Sequence, residues 1–136
     1  MPHFRIGQAA SLLGVSDDTV RRWVDDGRLA AERDDAGRMV LDGADLARYA
    51  QELAERHHAP EVGGVASSAR NRFTGLVTRV LRDGVMAQVD LQCGPFRVVS
   101  LMSAEAVEDL GLEPGSLASA VVKATTVVVE APRETA

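Results

Sequence analysis

The sequence predicts an α+β protein in two parts: a mainly helical unit, then a small β-rich one. Three observations lead there. Residues 6–24 carry apolar side chains at helical spacing, residues 85–91 alternate like a strand, and residues 57–66 between them show no period at all. A chain of 136 residues with 46% hydrophobic content has the length of one ordinary domain or two small ones, and this change of texture favours two.

In chain order, Ile6, Ala9, Ala10 and Leu13 stand at i, i+3, i+4 and i+7, which predicts an amphipathic helix ended by Gly14. Ser16 is a suitable N-cap for a second helix, whose stripe is Val20, Trp23 and Val24 and whose C′ residue is Gly27. Leu29–Glu32 and Met39–Leu41 read as short strands around the turn Asp34-Asp35-Ala36-Gly37, a small wing. Asp42 then caps a third helix with Leu46, Tyr49, Ala50 and Leu53 on one face. The stretch from His57 to Ser67 mixes Pro60, Gly63, Gly64 and small residues, as a linker does.

Beyond the linker the pattern is β. Phe73–Leu81 is rich in β-branched and apolar residues, and Asp83-Gly84 signals a hairpin. Val85, Ala87, Val89 and Leu91 then alternate cleanly with Met86, Gln88, Asp90 and Gln92, as the two faces of a strand do. Cys93-Gly94-Pro95 turns the chain into a strand over Phe96–Leu101, and a short helix covers Ser103–Leu110. After the turn Glu113-Pro114-Gly115, two final strands are predicted, Leu117–Lys123 and Thr125–Glu130. Five strands and one helix suggest a small, partly open barrel of the oligonucleotide/oligosaccharide-binding type. The expected divisions are therefore 1–56, a linker 57–66, the barrel 67–131 and a C-terminal tail 132–136.

Composition excludes several classes. No apolar run is long enough to span a bilayer and the N-terminus lacks a signal-peptide core, so a cytoplasmic protein without membrane partners is expected. The single cysteine, Cys93, reads as a strand-end core residue, and His3, His57 and His58 lack a third ligand at metal-binding spacing. No metal cation or organic cofactor is expected. No nucleophile with a base and no convergent carboxylates are visible, so no catalytic residue is assigned and the expectation is a non-enzyme. The net charge of −5 argues against a general polyanion binder, though not against a local basic face.

Such a face is offered by the second helix. With Val20, Trp23 and Val24 turned inward, Arg22 lies on the opposite side, flanked by Thr19 and Arg21, with Ser16 at the helix tip. These four, with Arg28 and Arg38 from the wing, are the candidate DNA contacts. A second reading stays open, because Arg21 and Arg22 each have aspartates four residues away on both sides and would pair with them on a solvated face. Asp18 and Asp25 would also repel phosphates. The run Ile6 to Ser16, with Thr19-Val20-Arg21-Arg22-Trp23 and Gly27-Arg28-Leu29, resembles the MerR-type winged helix-turn-helix and its excisionase-like relatives. The resemblance implies a second helix in the major groove and a wing on the DNA backbone.

A second constellation joins Ser67 to Gly75 with Val122 to Thr126. Each stretch combines small residues, hydroxyls and fixed cations, which is what a small oxyanion needs. Lys123 is the chain's only lysine, a compact point charge among arginine forks. Ser68-Ala69-Arg70-Asn71 with Phe73 and Gly75, Gly84-Val85-Met86-Ala87, Leu110 to Gly115 and Lys123-Ala124-Thr125 together resemble the Mop (molbindin) class of TOBE domain. The resemblance implies molybdate or tungstate bound at interfaces between subunits. It implies contacts from Ser68, Ala69 and Arg70, from Lys123, Ala124 and Thr125, and from the start of the short helix, Ser103, Ala106 and Val107. A helix start has its own reason to take part, since it carries unsatisfied N–H groups. Where the family usually has Thr, this chain has Ser103, and Ala106 lacks a hydroxyl that is often found near it.

Taken together, these readings predict a molybdate- or tungstate-responsive DNA-binding regulator. It would act as a homo-oligomer, a dimer or a hexamer built from dimers, on double-stranded DNA. The alternative is an oxyanion storage protein whose first domain mediates assembly.

Overall fold

A computed structural model describes residues 2–56 and 66–133. His57, His58 and nearly all of the expected linker lie outside the described residues, as does the end of the expected tail. The chain divides into two compact units, Met1–His58 and Ala59–Ala136.

The first unit runs β1 (His3–Arg5), α1 (Ile6–Leu13), α2 (Asp17–Asp25), β2 (Ala31–Arg33), β3 (Met39–Asp42) and α3 (Gly43–Arg56). Local chemistry fixes its corners. Gly14 adopts φ 68°, which only glycine takes at little cost, and its N–H donates to the carbonyls of Ala10 and Ser11 to close α1. Two residues on, the Ser16 hydroxyl accepts the Thr19 N–H at 3.2 Å and starts α2. The Asp42 carboxylate receives the Asp45 N–H at 3.1 Å and starts α3, while Asp45 receives the Ala30 N–H at 3.2 Å, tying the entry to β2 to that helix. Ile6, Ala9, Ala10, Val20, Leu29, Leu41, Leu46 and Tyr49 form the core, with Trp23 edge-on to Tyr49 at 5.0 Å between ring centroids. One element was not expected. The strand β1 pairs with β3 (Phe4 opposite Leu41) to make a three-stranded sheet in the order β1-β3-β2, and three residues are too few to show a period.

The second unit holds β4 (Asn71–Arg82), β5 (Met86–Cys93), β6 (Phe96–Ser103), α4 (Ala104–Leu110) and β7 (Leu117–Val122). Its sheet is antiparallel in the order β6-β5-β4-β7, leaving β6 and β7 as free edges of a curled half-barrel. Val77, Ala87, Val89, Leu91, Cys93 and Val107 fill the concave side, so α4 lies across it and Cys93 is a buried core residue as expected. Two devices curl the sheet. A bulge interrupts the β4–β5 register between Val77 and Arg79, and Gly75 lets β4 press against the backbone of Gln92.

One expectation fails here. Thr125–Glu130 is not a strand; a 3₁₀ turn spans Ala124–Thr126 and an exposed, unpaired segment follows. β propensity supplies no partner, and none of the described residues pairs with it. Asp90 does face outward, opposite to Val89 and Leu91, yet it is only 5% exposed. The outer face covers it. Gln88 Nε2 donates to Asp90 Oδ1 at 3.0 Å, while Arg97 Nε and Nη2 donate to Oδ2 at 3.1 and 2.7 Å.

These bonds hold the Asp90 carboxyl below its ordinary pKa, the Gln88 amide first and Arg97 second. Loss of hydration opposes them and is outweighed. A depressed carboxylate stabilises the fold above its unfolded pKa of about 4, and that contribution vanishes as pH falls through the lower folded value. Thermal melts of wild type and Arg97→Ala should therefore differ at neutral pH and converge in acid. A gap that persists in strong acid would assign the effect of Arg97 to packing.

Candidate functional site

The β4–β7 register creates the principal candidate site. Asn71 pairs with Val122 at the end of the ladder, and the Asn71 Nδ2 donates to the Val122 carbonyl at 3.2 Å. Ser68–Arg70 lead into β4 at that point and Lys123–Thr125 lead out of β7, so the two groups stand side by side at one end of the sheet. Sequence order separates them by most of the domain.

Hydrogen bonds shape both loops. Ser67 Oγ takes the Ala69 N–H at 3.1 Å, so the Ala69 amide expected to face the ligand is already engaged. The Lys123 carbonyl accepts the Thr126 N–H at 3.0 Å and the Thr126 hydroxyl at 2.9 Å, which pins the 3₁₀ turn. The amides of Ser68, Arg70, Ala124 and Thr125 have no partner among the described residues, and neither Arg70 nor Lys123 enters an ion pair there. This end thus offers hydroxyls, free N–H groups and two cations, all of them exposed except half-buried Ala69 nearby.

The third group lies elsewhere. Ser103 pairs with Met86 beside the β4–β5 hairpin, at the opposite end of the sheet from Asn71. The twelve residues of β4 separate the two ends, on the order of 30 Å at strand rise. Around the start of α4 the amides are partly used. Ala104 N–H donates to the Val85 carbonyl at 2.8 Å, and Ala106 N–H donates to Ser103 Oγ at 3.1 Å, so the donor expected of Ala106 is satisfied internally. Val107 is fully buried. The Ser103 oxygen acts as acceptor at the cap, and its hydroxyl proton has no acceptor among the described residues.

In the first unit the DNA candidates differ in their freedom. Arg22 is exposed and makes no ion pair among the described residues, whereas Arg21 reaches Asp18 at 3.5 Å, three residues back and not four as expected. That distance and exposure make the pair weak. Ser16 and Thr19 bond to each other through their hydroxyls at 2.9 Å. In the wing, Arg38 lies 3.5 Å from Asp34, and Arg33 Nη1 donates to the Gly37 carbonyl at 2.7 Å. The Asp34 carboxyl is held below its ordinary range chiefly by the Arg38 N–H. Tyr49 Oη is buried with no hydrogen-bond partner among the described residues. Among the described residues no group of three His, Cys, Asp or Glu side chains is placed to hold a metal, and no helix is long and apolar enough to cross a membrane.

A wing-bearing helical unit followed by a curled four-stranded sheet defines a two-domain chain of helix-turn-helix and half-barrel type. It belongs to the TOBE-domain family, whose model matches residues 67–129, and a helix-turn-helix domain model matches residues 4–54. The second unit is similar to molybdenum-pterin-binding proteins 3 and 2 of Clostridium pasteurianum, 40% and 38% identical over 63 residues, which are 46% of this chain and 93% of each relative. It is also similar to the cytoplasmic molybdate-binding protein ModG in a crystal form with molybdate bound. That likeness has 40% identity and a TM-score of 0.50, and it covers 53% of this chain and 52% of ModG.

Proposed function

We propose that this chain is a DNA-binding regulator that responds to molybdate or tungstate. The observation that carries the reading is the β4–β7 register, which sets Ser68–Arg70 against Lys123–Thr125 at the end of a domain whose relatives bind molybdenum species. A site of cations, N–H groups and hydroxyls with no carboxylate suits a fully deprotonated tetrahedral dianion, and it offers the proton of hydrogen phosphate only weak hydroxyl acceptors. Because Ser103 stands at the far end of the same sheet, a complete site needs Ser103 from a second copy, and a homo-oligomer follows. Oxyanion binding across that interface would respace the helix-turn-helix units, a coupling of about 1–3 kcal/mol on operator affinity.

Calorimetric titration with molybdate, sulfate and phosphate tests the sensor. Strong heat with molybdate and little with phosphate is expected, and equal weak heats for all three would sink it. A mobility-shift assay on DNA from upstream of the chain's own coding sequence tests the reader. Arg22→Ala should weaken the shift at least tenfold.

A second reading, an oxyanion store with an assembly domain in front, draws on the exposed Asp17, Asp18, Asp25 and Asp26 of α2 and its C-cap. Molybdate binding without any DNA shift at low salt would favour it.

A further inference from the structure

The exposed face of α2 carries the wrong charge for a helix that grips DNA by its phosphates. Val20 is fully buried, and Trp23 and Val24 pack against the same core. At about 100° per residue the side opposite that stripe is centred on Asp18, Arg22 and Asp25, within about 60° of arc, and all three are exposed. Two carboxylates thus flank one guanidinium, and Asp17 and Asp26 add to the excess at either end of the helix. Neither Arg22 nor Asp25 enters an ion pair among the described residues, and the Asp18 side chain is 89% exposed with only the weak 3.5 Å contact to Arg21. Phosphate neutralisation, the source of sequence-independent affinity, is opposed by such a face. Bonding to base edges is not opposed. The major groove presents amino donors that a carboxylate accepts, and it presents guanine O6 and N7, which a guanidinium fills.

We infer that Asp18 and Arg22 read two nearby G·C pairs in the major groove, Arg22 on a guanine and Asp18 on a cytosine, while Asp25 opposes non-specific phosphate binding. The assignment rests on the DNA-binding reading proposed above. Asp18 and Arg22 stand four residues apart, about 6 Å of helical rise. Stacked base pairs are about 3.4 Å apart, so the two side chains meet pairs one or two steps apart. Two amino-bearing bases compete for Asp18. Adenine sets the N7 lone pair beside its N6 amino group, which repels a carboxylate, whereas cytosine offers its N4 donor with no acceptor of its own on that edge. Arg21 engages only Asp18 Oδ1, and Oδ2 has no partner among the described residues. Asp25 lies one turn beyond Arg22, at the carbonyl end of α2, where the helix dipole already disfavours a phosphate. The wrong sequence is refused because it lacks the guanine acceptors and the amino donor that would offset the repulsion.

The test is selection of a randomised duplex DNA library by the full chain at low salt, followed by sequencing, with Asp18→Asn, Arg22→Gln and Asp25→Asn beside wild type. All three side chains are exposed, so each variant should keep the folded spectrum of wild type. Wild type should enrich two G·C pairs one or two steps apart. Asn and Gln pair with adenine N6 and N7, so Asp18→Asn should turn one of these pairs to A·T and Arg22→Gln the other, each by roughly tenfold. Asp25→Asn should keep the selected sequence and bind unrelated duplex roughly threefold more tightly, a gain that added salt erases. If Asp18→Asn selects the same bases as wild type, Asp18 is a helix-start charge and the assignment is overturned. DNA binding by wild type without a G·C preference overturns it as well and leaves the DNA-binding reading standing. Retention of no duplex even at low salt overturns both.

Discussion

Gly75→Ala is expected to unfold the curled sheet while leaving the first unit intact. A methyl group there would collide with the Gln92 carbonyl oxygen and stand 2.8 Å from its carbon and 2.9 Å from Cys93 Cα. All three atoms are backbone, so no side-chain rotation relieves the clash. Either β4 retreats from β5, opening the concave core around Val77, Leu91 and Cys93, or the bend moves and the β4–β7 register goes with it. Overpacking of this kind costs on the order of 3 kcal/mol, a large share of the stability of a small unit. The chain's single tryptophan, Trp23, lies in the first unit and reports on it alone. Its fluorescence transition in urea should stay in place while amide signals from β4–β7 collapse. Gly84→Ala is the control, because its methyl would meet nothing within 4 Å and its φ is not in the left-handed region. Equal stability of the two variants would show that the curl does not depend on Gly75.

What could be read in the sequence was what chemistry decides locally. Gly14, Ser16 and Asp42 mark helix ends through their own backbone or side-chain bonds, and Val20 with Leu46 marks buried faces through period alone. Pairing is a different matter. β1 is too short to carry a signal, and Thr125–Glu130 has every local mark of a strand but no pairing partner among the described residues. Asp90 alternates as an outward residue should, and it is outward; burial comes from Gln88 and Arg97, which no period reports. The candidate oxyanion residues show the same division. Their types could be read one by one, whereas the closeness of Arg70 and Lys123 depends on register across the sheet, and the distance of both from Ser103 on its length.

Removing the two cations should give the largest functional loss. Arg70→Ala and Lys123→Ala are each expected to weaken molybdate binding roughly ten- to a hundredfold, the range for one charge-assisted hydrogen bond of about 1.5–3 kcal/mol. The double variant should lose less than the product, since neighbours in one site couple. Neither substitution should shift the unfolding midpoint, because both side chains are exposed and neither is in an ion pair among the described residues. Titration calorimetry with parallel denaturation measures both quantities, and unchanged affinity in both single variants would reduce the pair to surface charge. Lys123→Arg adds a finer test. The Lys123 carbonyl anchors the turn through Thr126, and the Ala124 and Thr125 amides that follow it have no partner among the described residues. A guanidinium keeps the charge but brings a wider, planar head to a place where short backbone donors must also reach the ligand. Partial rescue would mean that charge dominates. Loss as deep as in Lys123→Ala would mean that the turn admits only a compact cation, and cavity size would then be what separates molybdate from the smaller sulfate dianion, which a site without a carboxylate cannot otherwise refuse.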